Sequence, residues 1–123
     1  MGYIRHNAII VTGDSYQGAQ QDFEMAHKKA KKLFGNLVSD TIKGVINGYQ
    51  SFFVAPDGSK EYWTESDEFD EKRKMLAGFI DSLAHSDGGN SLQFVDVGFG
   101  DSYDTKIDRQ NRSFVGRESN NDE

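Results

Sequence analysis

Residues 47–71 read NGYQSFFVAPDGSKEYWTESDEFDE, and this stretch decides the architecture. Asn47-Gly48 is the strongest short signal for a two-residue hairpin, because both central residues of a type I′ turn need positive φ. Residues 49–55 continue as an apolar strand. In it Phe52, Phe53 and Val54 are consecutive, which predicts that both faces of the strand are at least partly covered. Pro56-Asp57-Gly58 supplies a second turn: Pro presets φ, Asp bonds its own backbone and Gly takes the left-handed position. Residues 60–63 can return as a further short strand. A helix then starts at Thr64 or Ser66, a capping residue followed by acids that suit the positive end of the helix dipole.

The flanks complete the pattern. Residues 3–12 predict a strand, with β-branched Ile9, Ile10 and Val11 near its end. Alternation puts Ile4, His6, Ala8 and Ile10 on one face, and Tyr3, Arg5, Asn7, Ile9 and Val11 on the other. Asp14 or Ser15 can cap the next helix. Tyr16, Ala19, Phe23, Ala26, Ala30 and Leu33 form its apolar stripe, and Gly35 is placed to end it. Residues 38–46 read as a strand weakened by Gly44. In the second helix Phe69, Leu76, Phe79, Ile80 and Leu83 make the buried stripe. Residues 92–99 are apolar on both faces, which suits a central strand.

The order is β-α-β-β-(β)-α-β, an α+β arrangement of the ferredoxin-like split βαβ type. It predicts an antiparallel sheet with two helices on one face. Residues 1–100 are expected to form one domain. Residues 101–123 read as a polar C-terminal arm, ordered over a short length at most and disordered after Gly116.

Composition narrows the function classes. The 123 residues fit one domain, and the lack of cysteine excludes disulfides, zinc–thiolate sites and thiol catalysis. No apolar run approaches the roughly 20 residues that span a bilayer. The first ten residues lack the layout of a signal peptide, so the expected location is cytoplasmic. A net charge of −6 disfavours direct nucleic-acid binding and fits a partner with a basic surface.

That charge is concentrated. Between Asp57 and Glu71 seven acids (Asp57, Glu61, Glu65, Asp67, Glu68, Asp70, Glu71) stand against Lys60, which gives −6 over fifteen residues, equal to the whole chain. Tyr62 and Trp63 lie among them. Such a cluster can occupy arginines and lysines that normally hold phosphates, with the aromatics as anchors. The plainer reading is a solvated helix start with Trp63 capping the core. The acids lack the order of a calcium loop, so no metal is expected.

Other chemistry is weaker. His6 could act as a general base, but no motif gives it a Ser or Asp partner, and a structural histidine is the better reading. His27 and His85 are expected on helix surfaces. Gly13-Asp14-Ser15 joins a strand to a helix, a geometry that can hold anions, although Asp14 would repel phosphate. Arg109, Arg112 and Arg117 in the arm are alternative ligands for a small anion.

Two segments, MGYIRHNAIIVTG at residues 1–13 and SFFVAPDGSKEYW at residues 51–63, resemble small accessory proteins of bacteriophages and prophages. The resemblance covers about the first 100 residues. It carries no activity and no catalytic residue. It implies a phage protein acting inside a bacterium, where such proteins often disable a host defence component. The expected function is therefore a non-enzymatic inhibitor that binds a basic host protein through its acidic hairpin–helix surface, without cofactor. The alternatives are a sponge for a small nucleotide signal, held between subunits by the arm's arginines and aromatics, and a small hydrolase using His6. An exposed edge strand would allow a homodimer.

Overall fold

The computed structural model describes residues 4–58, 63–100 and 103–111. The elements are β1 (His6–Asp14), α1 (Gly18–Phe34), a 3₁₀ turn (Gly35–Leu37), β2 (Ile42–Lys43), β3 (Tyr49–Val54), α2 (Thr64–Ser82), β4 (Leu92–Gly100) and β5 (Tyr103–Gln110). They build one sheet in the order β2-β3-β1-β4-β5, with every neighbouring pair antiparallel. The first four strands have the split βαβ order that the sequence predicts.

The register shows which residues face the helices. Val11 stands opposite Phe52 on β3 and Phe94 on β4, and Ile9 stands opposite Val54. These side chains share one core with Phe23, Ala26, Ala30 and Phe34 of α1 and Leu76 and Ile80 of α2. Both helices therefore cover the same face. Phe23 meets Phe52 edge-on with centroids 5.5 Å apart, and Phe34 stacks on Phe69 at 6.4 Å. Full burial of each such side chain contributes about 1.5–3 kcal/mol. Within the predicted stripes Tyr16 is exposed and Phe34 is buried in its place.

Several local expectations are corrected. Neither helix has a side-chain cap: Gln17 precedes α1 with φ 47°, and Trp63 precedes α2. Asp14 is the last residue of β1, and Ser15 is spent elsewhere, its Oγ donating to the Gly48 carbonyl at 2.6 Å. The predicted strand at residues 38–46 shrinks to Ile42–Lys43 plus a bridge from Val38 to Val54. Ile42 faces Ser51, Lys43 faces Gln50, and the Gly44 N–H donates to the Tyr49 carbonyl at 2.7 Å. Residues 45–48 thus form a four-residue loop, of which Asn47 and Gly48 are the second half. The positive φ that the pair predicts is present, 62° at Asn47 and 71° at Gly48.

The largest difference lies after residue 100. Residues 103–110 pair with β4 as the edge strand β5, so the arm begins as part of the sheet. Its side chains are mostly polar because ions, not apolar contacts, tie it down. The predicted short strand at residues 60–63 falls outside the described residues except for Trp63, and the expected disorder after Gly116 lies wholly outside them.

Gly48→Val tests the turn. It forces a branched residue to φ 71° and places a Cβ 3.0 Å from Ser15 Oγ. The expected result is a loss of about 1 kcal/mol or more, read as a lower urea midpoint; an unchanged midpoint would contradict this turn.

Candidate functional site

The start of α2 carries most of the acids singled out above. Trp63 holds extended backbone immediately before the helix, and its carbonyl accepts the first helical bond from the Asp67 N–H at 3.2 Å. Its side chain is 50% exposed, so it does not close the core. The structure sorts the neighbouring carboxylates into two groups. Glu65, Asp67 and Glu68 are exposed and have no ion pair among the described residues. Asp70 and Glu71, one turn on, are neutralised. Asp70 accepts from Arg109 at 2.7 Å and lies near Arg73 (3.7 Å) and Lys74 (3.8 Å), while Glu71 pairs with Lys74 at 3.3 Å. Asp57 is half-buried in the turn after β3. Lys60, Glu61 and Tyr62 lie outside the described residues.

Arg109 belongs to a chain of ion pairs that sequence reading missed. Asp96 on β4 is 1% exposed, on the helix-facing side of the sheet. One of its oxygens accepts from Asn7 Nδ2 at 2.9 Å and the other from Arg109 Nη1. Asn7 Nδ2 also donates to Asp108 at 2.8 Å, and Arg5 holds Asp108 with two bonds of 2.9 and 3.1 Å. A bulge makes this possible: Arg109 faces Asp96 and Ile107 faces Val97, so Asp108 is the extra residue between them. Gly98 gives the Arg5 guanidinium its space, since a Cβ there would lie 2.1 Å from Arg5 Nη2.

The pKa shifts follow from this geometry. At Asp108 burial alone would raise the value, but hydrogen bonds from Arg5 and Asn7 and the Arg5 charge outweigh it and hold the carboxyl below its ordinary range. At Arg109 burial pulls the value down, and the bonds to Asp70 and Asp96 raise it overall. Arg109 is therefore a cation that two carboxylates of the fold already hold, on a strand of the sheet and not on a loose arm. Arg112 and Arg117 lie outside the described residues. An open groove of about 790 Å³ runs between α2 and β5. Its rim mixes Lys74 and Arg109 with Asp81 and Asp108, which gives an anion no net attraction.

The histidines are apart from one another. His6 packs against Phe99 on the face without helices. His27 is half-buried rather than on the surface: its ring lies 4.8 Å from that of Phe52, and its Nε2 donates to the Ser39 carbonyl at 2.8 Å. His85 sits in the loop after α2, 3.3 Å from Ser91 Oγ. Among the described residues no group of three or more histidines and acids converges on a point where a metal ion could sit.

The sequence predicts that both faces of β3 are at least partly covered, yet no helix among the described residues lies on the second face. Ile10 and Phe53 stand on it as half-exposed neighbours, and the adjoining loop leaves Val45 fully exposed. The consecutive runs Ile9-Ile10-Val11 and Phe52-Phe53-Val54 were the available signal. No helix among the described residues is long and apolar enough to cross a membrane. Comparison of the chain with protein-family models and with characterised proteins finds no match.

Proposed function

We propose that this chain is a non-enzymatic, phage-encoded binding protein that acts in the cytoplasm of a bacterial host and disables a host defence protein. Its contact surface is the start of α2, and its partner offers a basic patch. The observation that supports this reading is the pairing of a half-exposed Trp63 with three exposed carboxylates, Glu65, Asp67 and Glu68, that the fold leaves without counter-ions among the described residues. Aromatic anchors ringed by charge are what hot spots use, and exposed charge steers a basic partner into place. The nucleotide-sponge alternative loses weight because Arg109 already serves two carboxylates. The hydrolase alternative loses weight because His6 packs against an aromatic ring and no nucleophile–base pair is seen with it among the described residues.

The test is capture from bacterial lysate with the wild type and with a triple variant, Glu65→Lys, Asp67→Lys and Glu68→Lys. The wild type should retain a basic protein at low salt and release it as ionic strength rises, because exposed charges are screened beyond about 8–10 Å at 0.1–0.15 M salt. The triple variant should bind at least about tenfold more weakly. Its fold should persist, because each acid at a helix start contributes only about 0.3–1 kcal/mol. A folded triple variant that captures the same partner at wild-type strength overturns the reading.

A further inference from the structure

The sheet has two faces, and α1 and α2 cover one of them. On the other, β1 presents His6, Ala8, Ile10 and Thr12, β3 presents Tyr49, Ser51 and Phe53, and β4 presents Gln93, Val95, Val97 and Phe99. The register joins these into rows. Phe53, Ile10 and Val95 are direct cross-strand neighbours over the three central strands. Ala8, Val97 and Ile107 form a second row that reaches β5. Ile10 is 45% exposed, Phe53 38% and Ile107 54%. At the end of the β2–β3 hairpin the loop leaves Val45 fully exposed and Ile46 71% exposed.

We propose that a second copy of this chain covers this face, giving a twofold dimer in which two sheets stack with their helices outward. Three observations choose that occupant. The first is charge. On β1, β3 and β4 this face carries one carboxylate, Asp14 at the very end of β1, although the chain as a whole has net charge −6. A basic partner gains little from a face with one carboxylate at its end, whereas two copies meet there with little repulsion while most of their acids stay outside. The second is area. Strands about 4.8 Å apart, four of them some 20–30 Å long and the two-residue β2 much shorter, present roughly 500–600 Å². That is about two-thirds to three-quarters of the 800 Å² or so per partner of a standard interface. The third is pattern. Apolar residues occupy consecutive positions on β1 and β3, as in strands buried on both faces, yet one chain buries only one face.

The edges are poorer routes to a dimer. β2 has two residues, and β5 is bulged and carries Asp104, Lys106, Asp108 and Arg109, features that keep strands from pairing. Face-to-face packing needs no edge: it sets the two sheets about 10 Å apart with their strands roughly 30° off parallel. Ile10, on the middle strand, then lies near the twofold axis and is desolvated on both sides.

Sedimentation equilibrium with the full chain and two single variants, Ile10→Lys and Ile107→Lys, tests the proposal. At about 100 μM, far above a micromolar dissociation constant, the wild type should have twice the 13.8 kDa mass of one chain. Each lysine should weaken the dimer by about 30-fold or more and leave a monomer with wild-type circular dichroism. Ile107 lies on an exposed edge strand, so its variant decides the matter if Ile10→Lys does not fold. A wild type that stays monomeric at that concentration overturns the proposal. So does a dimer that survives substitution on this face, since its interface would lie elsewhere. Neither result bears on the acidic start of α2, which lies outside this face.

Discussion

Asp96→Ala is expected to lower the free energy of unfolding by about 3–5 kcal/mol, a large part of the 5–15 kcal/mol typical of a domain. Asp96 is 1% exposed and accepts one hydrogen bond on each oxygen, from Asn7 and from Arg109. Burying a carboxylate is costly unless it is paired and hydrogen-bonded, and here it is both. Removing it leaves Arg109 with Asp70 as its remaining carboxylate and frees one Asn7 bond. It also opens a void where β5 is joined to the sheet. The loss arises less from the pair's net worth than from leaving a largely buried guanidinium with one carboxylate in place of two. Urea denaturation at neutral pH measures the effect. A loss below about 1 kcal/mol, the scale of an exposed ion pair, would show that Asp96 does not hold β5.

Local and nearly local patterns made most of the fold legible. Alternation over residues 3–12 put Arg5, Asn7, Ile9 and Val11 together on one face, and the structure turns that face towards the helices. Gly35 ends α1 with φ 59°, a conformation that a glycine signals by itself. What failed depends on residues far away in sequence. Ser15 looked like a cap, but Gly48, 33 residues on, takes its hydroxyl. β5 shows no apolar alternation, because its partners are Arg5, 103 residues from Asp108, and Asp70, 39 residues from Arg109. No window along the chain contains those pairs.

The candidate site divides in the same way. A position at a helix start predicts exposed acids, and Glu65, Asp67 and Glu68 are exposed. Sequence could not separate them from Asp70, since what distinguishes Asp70 is an arginine on a strand that was not anticipated. Arg109 was misread for the same reason, as a free cation on an arm. The run Phe52-Phe53-Val54 announced a strand with both faces at least partly covered. One chain leaves that second face half-exposed, with Ile10 at 45% and Phe53 at 38%.

Gly98→Val carries the second large effect, expected at about 2–4 kcal/mol, and its pH dependence identifies the cause. A Cβ at residue 98 would lie 2.1 Å from Arg5 Nη2, 2.4 Å from Cζ and 2.7 Å from Asp108 Oδ2. A guanidinium can swing away, so the sheet should survive, but the two bonds from Arg5 to Asp108 should not. The sign of the pH effect follows. Folding holds the Asp108 pKa below its ordinary 3.8, so the folded chain binds that proton less readily than the unfolded one. The stability this supplies is complete above about pH 4–5 and is lost as pH falls through the lowered value. Gly98→Val lacks it from the outset. The gap between wild type and variant should therefore be widest near pH 7 and narrow steadily towards pH 2. Chemical denaturation of both proteins across that range supplies the comparison. A gap that stays constant with pH would mean that the valine harms the sheet itself and that Arg5 keeps its hold on Asp108.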